Sequence, residues 1–209
     1  MPIEPKFVRP ANVTKEDGLK LLGLDPGRLT VLLSGGWSGG GAVMHIYQAL
    51  QKAKRPIQVI VLCGHNEVLF ARMKRLKEQS LLPTVVLAYT ESLAQLMSIC
   101  DLLVTKGGGI TTFEAVARRL PMAIDLLTEP MPQEAGTVAM LVEANLAKPI
   151  RQAEDILPII ESLQVVTDRE SQPLPTEHNL DRTDAIYEIA QTILSYRESA
   201  ILDNQPKSP

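Results

Sequence analysis

Short apolar segments alternate with segments of helical periodicity along most of the chain, and this alternation restricts the possible fold more than any other feature. Five apolar runs have the length and composition of buried parallel strands, at residues 29–33, 57–62, 85–88, 102–104 and 122–126. Between the first two runs, Val43, Ile46, Tyr47 and Leu50 fall on one helical face. This order predicts βαβ units with right-handed crossovers, and hence an α/β domain with a mostly parallel sheet.

The remaining helical segments extend the same pattern toward the carboxyl terminus. Leu69, Met73 and Leu76 form an apolar stripe that follows a predicted helix cap at Asn66. Further helices are predicted over residues 133–144, 152–163 and 181–197, with a polar stretch at 167–176 before the last of them. We therefore expect one domain over residues 1–198 and a disordered tail over residues 199–209.

Composition excludes several classes of protein. The 209 residues are 45% hydrophobic and 22% charged, which is enough apolar material for a folded core. The net charge is −3 and no tract is rich in Lys or Arg, so a nucleic-acid partner is not expected. No apolar run approaches the roughly 20 residues that span a bilayer, and a cytoplasmic protein is predicted. Cys63 and Cys100 lack metal-ligand spacing and are predicted to be buried thiols.

Two glycine-rich segments directly follow predicted strands. The first is SGGWSGGG at residues 34–41, and the second is TKGGGITTFE at residues 105–114. In an open α/β sheet the ligand crevice lies beyond the carboxyl ends of the strands, where each strand passes into a helix. Bare backbone amides and the positive end of a helix dipole at such a junction favour a phosphate group.

The sequences of these two segments do not match the best-known phosphate-binding motifs. The first segment is not GxGxxG, and the second strand ends in Leu62-Cys63-Gly64 without an acidic residue for a ribose, which disfavours a dinucleotide-dependent dehydrogenase. No GK[ST] follows the glycines, so a P-loop NTPase is not predicted either. One glycine-rich loop alone would indicate a tight chain reversal, whereas two at strand ends of one sheet favour phosphate binding.

Three segments carry a resemblance to a known family: GGWSGGG, LVTKGGGITTFEAVARRLP and EPMPQEAG, in this order. Over about residues 3–165 the sequence resembles the carboxyl-terminal, donor-binding half of GT-B glycosyltransferases of the family 28 type. This group includes the peptidoglycan lipid-intermediate N-acetylglucosaminyltransferase and the diacylglycerol galactosyl and glucosyl transferases. The resemblance implies a Rossmann-like, doubly wound, mostly parallel sheet that binds a UDP-sugar as donor substrate and needs no cofactor.

The resemblance also implies roles for individual residues. Tyr89 matches the position whose backbone recognises uracil, and Glu114 matches the acid that binds the ribose hydroxyls. Gln133 and Glu134 match the pair that holds the sugar hydroxyls. The residues implied to line the donor diphosphate are Gly35, Gly36, Ser38, Gly39, Gly108, Gly109 and Thr111. Two positions depart from the family pattern, since Thr137 stands where many members have Asn and Trp37 is unusually bulky for the first loop.

Several of these residues have a purely structural alternative. Thr111 and Glu114 have the spacing of a capping box, in which both side chains would satisfy free helix amides. Gln133 and Glu134 could form an exposed first helical turn, with the acid favoured by the helix dipole. Lys106 could pair with a phosphate or be solvated. His45 and His65 have no companion at metal-ligand spacing, and neither is predicted to be catalytic.

The implied reaction is an inverting hexosyl transfer without a metal. Neutral amides and helix dipoles around the diphosphate would stabilise the charge that builds on the leaving group as the glycosidic bond breaks. No DxD motif occurs in the sequence, so no metal site is predicted. By resemblance, the base that deprotonates the acceptor hydroxyl lies on the other domain of the enzyme.

The acceptor-binding half that family members carry before this domain is not in the sequence, and three explanations follow. The chain could be the donor half of a split glycosyltransferase, acting on a lipid or polyprenyl-linked acceptor with a separate, membrane-associated partner. It could instead be a non-catalytic nucleotide-sugar-binding or interaction module, or a fragment of a longer enzyme. An apolar patch on the face toward the missing half would favour the first or third explanation, and a polar face the second.

Overall fold

A central parallel sheet positions every other element of the domain. The computed structural model describes residues 3–7 and 13–164. The strands are Leu29–Ser34 (β1), Ile57–Leu62 (β2), Thr84–Leu87 (β3), Leu102–Thr105 (β4), Met122–Asp125 (β5) and Ala147–Ile150 (β6). The helices are Lys15–Leu21 (α1), Val43–Leu50 (α2), Glu67–Glu78 (α3), Leu93–Ile99 (α4), Gly109–Ala117 (α5), Pro132–Glu143 (α6) and Ile156–Ser162 (α7). Short 3₁₀ turns occur at Pro5–Phe7 and Ala153–Asp155.

The strand order changes direction next to β1. In the sheet the order is β3-β2-β1-β4-β5-β6, and each neighbouring pair is parallel. The chain therefore starts near the middle, builds outward to β3, and returns to place β4 on the other side of β1, where Val31 aligns with Leu102. Such a switch point opens a crevice beyond the carboxyl ends of the two central strands.

The helices cover both faces of the sheet. One apolar cluster joins strand side chains such as Leu32 and Leu103 to helices α1, α4, α5 and α6. The other joins side chains such as Val31 and Val59 to helices α2, α3 and α7. The central strands are buried along their whole length because both of their faces are covered, which explains their continuous apolar sequences. The predicted doubly wound, Rossmann-like sheet is confirmed.

All five predicted strands are present, and a sixth strand escaped prediction. That strand, β6, pairs only with β5 at the edge of the described sheet, and it contains an exposed Lys148 and a Pro149. An edge strand tolerates proline and needs no continuous apolar run, so its sequence lacks the signal of the central strands. Helix α1 was also not predicted, whereas α4 lies in one of the segments between strands for which helical structure was predicted without bounds. The predictions for residues 167–176, 181–197 and 199–209 lie outside the described residues.

The predicted cap at Asn66 is confirmed. Its side-chain Oδ1 accepts a hydrogen bond from the backbone N–H of Leu69 at 2.8 Å, which satisfies one free amide of the first turn of α3. Its side-chain Nδ2 donates to the carbonyl of Gly39 at 2.9 Å. One side chain thus starts a helix and holds the first glycine loop.

Candidate functional site

The first glycine loop, residues 34–41, is folded tightly on itself and against the next loop of the sheet. Gly36, Gly39 and Gly41 have φ values of 72°, 64° and 84°, a region that other residues rarely adopt. A Cβ on Gly39 would overlap the backbone carbonyl of Cys63. These glycines are therefore required by the loop conformation itself, whatever the loop binds.

A buried carboxylate connects this loop to the far side of the crevice. Asp125 ends β5, and its Oδ2 accepts a hydrogen bond of 2.6 Å from the backbone N–H of Ala42, next to the start of α2. Its Oδ1 accepts from the N–H of Leu127 at 2.9 Å. Asp125 was not among the predicted site residues. Its position as an acidic residue at the end of an apolar run is the feature of the sequence that could have indicated it.

The second glycine loop leads into α5, whose first residues differ from the capping-box alternative. The N-cap is Gly108 and Thr111 lies inside the helix, so Thr111 cannot cap it with Glu114 as partner. The hydroxyl of Thr112 donates to the carbonyl of Gly108 at 3.0 Å. The capping-box alternative is wrong, because the helix begins three residues before the position that it requires.

An open cleft of about 500 Å³ lies at the carboxyl ends of the central strands. Four of the predicted site residues line it: Gly36, Tyr89, Thr111 and Glu114. The other predicted residues are not part of its lining, namely Gly35, Ser38, Gly39, Gly108, Gly109, Gln133 and Glu134. The cleft therefore corresponds to the part of the crevice where the resemblance puts the nucleoside.

The amino-terminal segment Pro5–Phe7 forms one wall of this cleft, which sequence reasoning missed. Its Phe7 side chain is buried, and the guanidinium Nη2 of Arg118 donates to the carbonyl of Lys6 at 2.6 Å. This contact fixes the segment against the end of α5. Glu4 and Lys6 thereby reach the cleft, where they pair with one another at 2.9 Å.

Glu114 has the most unusual environment in the cleft. Its side chain is only 6% exposed, and within the described residues its carboxyl makes no hydrogen bond or ion pair. Burial, followed by the nearby charge of Glu4, raises the pKa of this carboxyl from 4.5 to about 7, and Lys6 acts in the opposite direction. A buried acid that faces a cleft without a protein partner is a ready hydrogen-bonding group for a ligand.

The raised pKa of Glu114 predicts a pH-dependent stability. The folded state holds its proton up to about pH 7 and the unfolded state only to about pH 4.5, so the free energy of unfolding falls as the pH rises between these values. Glu114→Gln removes this loss and is expected to stabilise the protein by about 2 kcal/mol at pH 8, with little effect at pH 4. Urea unfolding at both pH values, with the exposed Glu129→Gln as control, measures the difference. Equal stabilities at pH 8 would contradict the burial argument.

Gln133 and Glu134, the predicted pair at the start of α6, differ in exposure. Gln133 is exposed, with its amide Nε2 at 3.4 Å from the sulfur of Met131. Glu134 is buried, and its Oε2 accepts a hydrogen bond from the backbone N–H of Met131 at 3.2 Å. The alternative of an exposed first turn therefore fits Gln133 and is wrong for Glu134. The Glu134 carboxylate also lies beside Gly108, so the second glycine loop and α6 face each other.

Lys106 belongs to the second glycine loop, and its side chain extends to the first. Its side chain is half-buried and runs beside Gly40 and Gly41. In the part of the chain that the structure describes, its ammonium group has no hydrogen bond or ion pair. The position leaves a cation available next to both sets of backbone amides.

Neither a metal cluster nor a membrane-spanning helix is found among residues 3–7 and 13–164. No group of three or more His, Cys, Asp or Glu side chains in these ranges could hold a metal ion. No helix there is long and apolar enough to cross a bilayer.

The fold and the crevice define a Rossmann-like α/β domain with two glycine loops at the switch point of its sheet. The chain belongs to the family described as the glycosyltransferase family 28 C-terminal domain, whose model matches residues 34–193. The predicted family is thereby confirmed.

Curated relatives include enzymes of chloroplast lipid synthesis. Monogalactosyldiacylglycerol synthase 2 of Arabidopsis thaliana is 29% identical over 202 residues, which are 92% of this chain and 42% of that protein. Probable monogalactosyldiacylglycerol synthase 3 of Oryza sativa subsp. japonica is 36% identical over 151 residues, covering 68% of this chain and 28% of the relative. The chain thus spans less than half the length of these relatives.

Solved structures with the same fold include two bacterial proteins. MurG of Acinetobacter baumannii superposes with a TM-score of 0.57 at 19% identity, over 86% of this chain and 55% of that one. Alr3699/HepE of Anabaena, solved in complex with UDP-glucose, gives a TM-score of 0.65 at 15% identity, over 95% of this chain and 56% of that one. At these identities the likeness concerns the fold, which is that of GT-B glycosyltransferase domains.

Proposed function

We propose that this domain binds the UDP-sugar donor of a glycosyltransferase. The proposal rests mainly on the buried carboxyl of Glu114, which faces the cleft and has no hydrogen bond or ion pair with residues 3–7 and 13–164. A pair of ribose hydroxyls would supply the missing hydrogen bonds, and Tyr89 borders the same cleft on the side proposed for uracil. Membership of family 28 and the UDP-glucose complex of the Anabaena protein support the choice of ligand.

The diphosphate would lie between the two glycine loops. Gly36 of the first loop and Thr111 of α5 both line the cleft, and Gly108 is the N-cap of α5, so the first amides of this helix follow it directly. A helix amino terminus favours negative charge, and Lys106 adds a cation beside both loops. In this arrangement the sugar would extend toward Gln133 and Glu134 at the start of α6.

The proposed reaction is an inverting transfer of a hexosyl group without a metal. Breaking the glycosidic bond leaves the electron pair and negative charge on the UDP leaving group, where backbone amides, the α5 dipole and Lys106 would stabilise it. A base supplied by an acceptor-binding domain would take the proton from the acceptor hydroxyl. The domain described here would bind and orient the donor.

A lipid acceptor and a separate acceptor-binding domain complete the proposal. The curated relatives are named as synthases of a galactosylated diacylglycerol, and this chain covers less than half of their length. Two large apolar side chains, Ile110 at the start of α5 and Met131 before α6, are 65% and 46% exposed beside the crevice. Exposed apolar groups at this edge favour a contact with a second domain, which would hold a cytoplasmic donor domain near a membrane.

Titration calorimetry tests the donor assignment directly. Saturable binding of UDP and of UDP-glucose, UDP-galactose or UDP-N-acetylglucosamine in the presence of EDTA is expected, without binding of ADP or NAD. Glu114→Ala should weaken UDP binding by about tenfold or more, since a hydrogen bond to a charged or buried group is lost. Absence of UDP binding by the folded protein would refute the proposal, and an unaltered affinity of Glu114→Ala would refute the ribose assignment.

A further inference from the structure

Three aromatic rings from three successive loops meet at the rim of the cleft. Trp37 belongs to the first glycine loop, His65 to the loop after β2, and Tyr89 to the loop after β3. The ring centroids of Trp37 and His65 are 4.8 Å apart with a tilt of 56°, and those of His65 and Tyr89 are 4.3 Å apart and nearly parallel at 21°. The three loops are therefore joined by side chains as well as by backbone.

The backbone under Trp37 is firmly held, although its ring is open. The carbonyl of Trp37 accepts a hydrogen bond of 3.0 Å from the backbone N–H of His65, and the backbone of Gly64 packs directly against Gly36 and Trp37. The Trp37 side chain is nevertheless 73% exposed. A large apolar ring on a fixed loop, supported on one side by His65, leaves most of its surface for another planar group.

The location of Trp37 limits which part of a bound donor its ring can contact. Trp37 lines the same cleft as Tyr89 and Glu114, to which uracil and ribose are assigned. Gln133 and Glu134, the residues proposed for the sugar, are not in that lining. The planar part of the donor at this end is its base, so stacking on the base is the contact that the ring position favours over stacking on the sugar.

We propose that Trp37 is a donor-binding residue that stacks on the nucleobase, with His65, whose ring contacts that of Trp37 and stacks on that of Tyr89, as a positioning residue. The proposal rests on the proposed function, because it assumes that a nucleotide occupies the cleft. Stacking on an aromatic ring adds affinity for any base, whereas the selection of uracil stays with the backbone near Tyr89.

Trp37 is the single tryptophan of the chain, so its fluorescence reports this position alone. Titration of the full chain with UDP and with uridine is expected to quench the emission, because both ligands bring a base to the ring. Inorganic pyrophosphate, which lacks a base, is expected to leave the emission unchanged. Quenching by UDP-glucose but not by UDP would assign the ring to the sugar and overturn the proposal.

Substitutions of Trp37 distinguish a stacking role of its ring from a structural role in the first glycine loop. Trp37→Ala is expected to weaken UDP binding about tenfold, and Trp37→Phe to retain most of the affinity because a ring remains. Leu81→Ala, at a fully exposed position in the turn before β3, is the control and should bind UDP as the unaltered chain does.

Calorimetry of the same proteins with UDP distinguishes the two possible failures. If the unaltered chain binds UDP while Trp37→Ala binds it equally well, the stacking role is refuted and the proposed function stands. If the unaltered chain does not bind UDP at all, both are refuted.

Discussion

Gly108→Val is expected to weaken UDP binding about a hundredfold while leaving the domain folded. Gly108 is the N-cap of α5 with φ −62° and ψ 124°, values that valine adopts readily, and a Cβ there would have only a carboxylate oxygen of Glu134 within 4 Å, at 3.7 Å. The added side chain would, however, cover the free amides at the start of α5, where we place the diphosphate. Losing two charge-assisted hydrogen bonds corresponds to about 3 kcal/mol, or about a hundredfold in Kd.

The test compares Gly108→Val with Gly27→Val, which alters an exposed glycine in the turn before β1. Calorimetry with UDP gives the affinities, and circular dichroism with thermal unfolding shows that both variants are folded. Undiminished UDP binding by folded Gly108→Val would remove the second glycine loop from the diphosphate site.

Gly64→Ala is expected to cause a large loss of stability. Gly64 has a φ of 59°, and a Cβ would overlap the carbonyl oxygens of Gly36 and Trp37. Backbone atoms cannot move aside as a flexible side chain can, so the first glycine loop would have to shift away from β2. Left-handed strain and overpacking together are expected to cost about 3 kcal/mol or more.

Gly23→Ala provides the matched control. Gly23 follows α1 with a φ of 70°, but a Cβ there would meet no atom within 4 Å. Its substitution should cost only about 1 to 2 kcal/mol, the strain of the left-handed conformation. Urea unfolding of both variants gives the difference that is due to close backbone packing, and equal losses would show that the two loops do not need glycine to meet.

The sequence predicted the central part of the fold because there local and tertiary requirements coincide. Strands β1, β2 and β4 are buried on both faces, so successive residues must be apolar and the strands are recognisable as continuous apolar runs. The edge strand β6 is only partly buried and carries Lys148 and Pro149, which interrupt the continuous apolar run by which the buried strands were predicted. The glycine loops were predicted at the right edge of the sheet because parallel strands end on the same side.

The environment of the candidate site depended on contacts between distant segments, which local patterns do not contain. Nothing in the spacing of Glu114 indicates that Glu4 and Lys6 border the same cleft and act on its pKa. The adjacent Gln133 and Glu134 point in different directions because successive residues on a helix are about 100° apart, so one is exposed and the other buried. The roles that the resemblance implies for these residues remain predictions.

The strand order also has a consequence for the kinetics of folding. Strand β1 can pair with β2 after a short crossover, but its other neighbour, β4, follows only after two more helices and another strand. Closing that longer loop costs more chain entropy, so the pairing of Val31 with Leu102 is expected to form late. The crevice lies at this junction, so it forms only when β1 and β4 have paired. The folding reaction and the appearance of ligand-binding capacity should therefore share their slowest step.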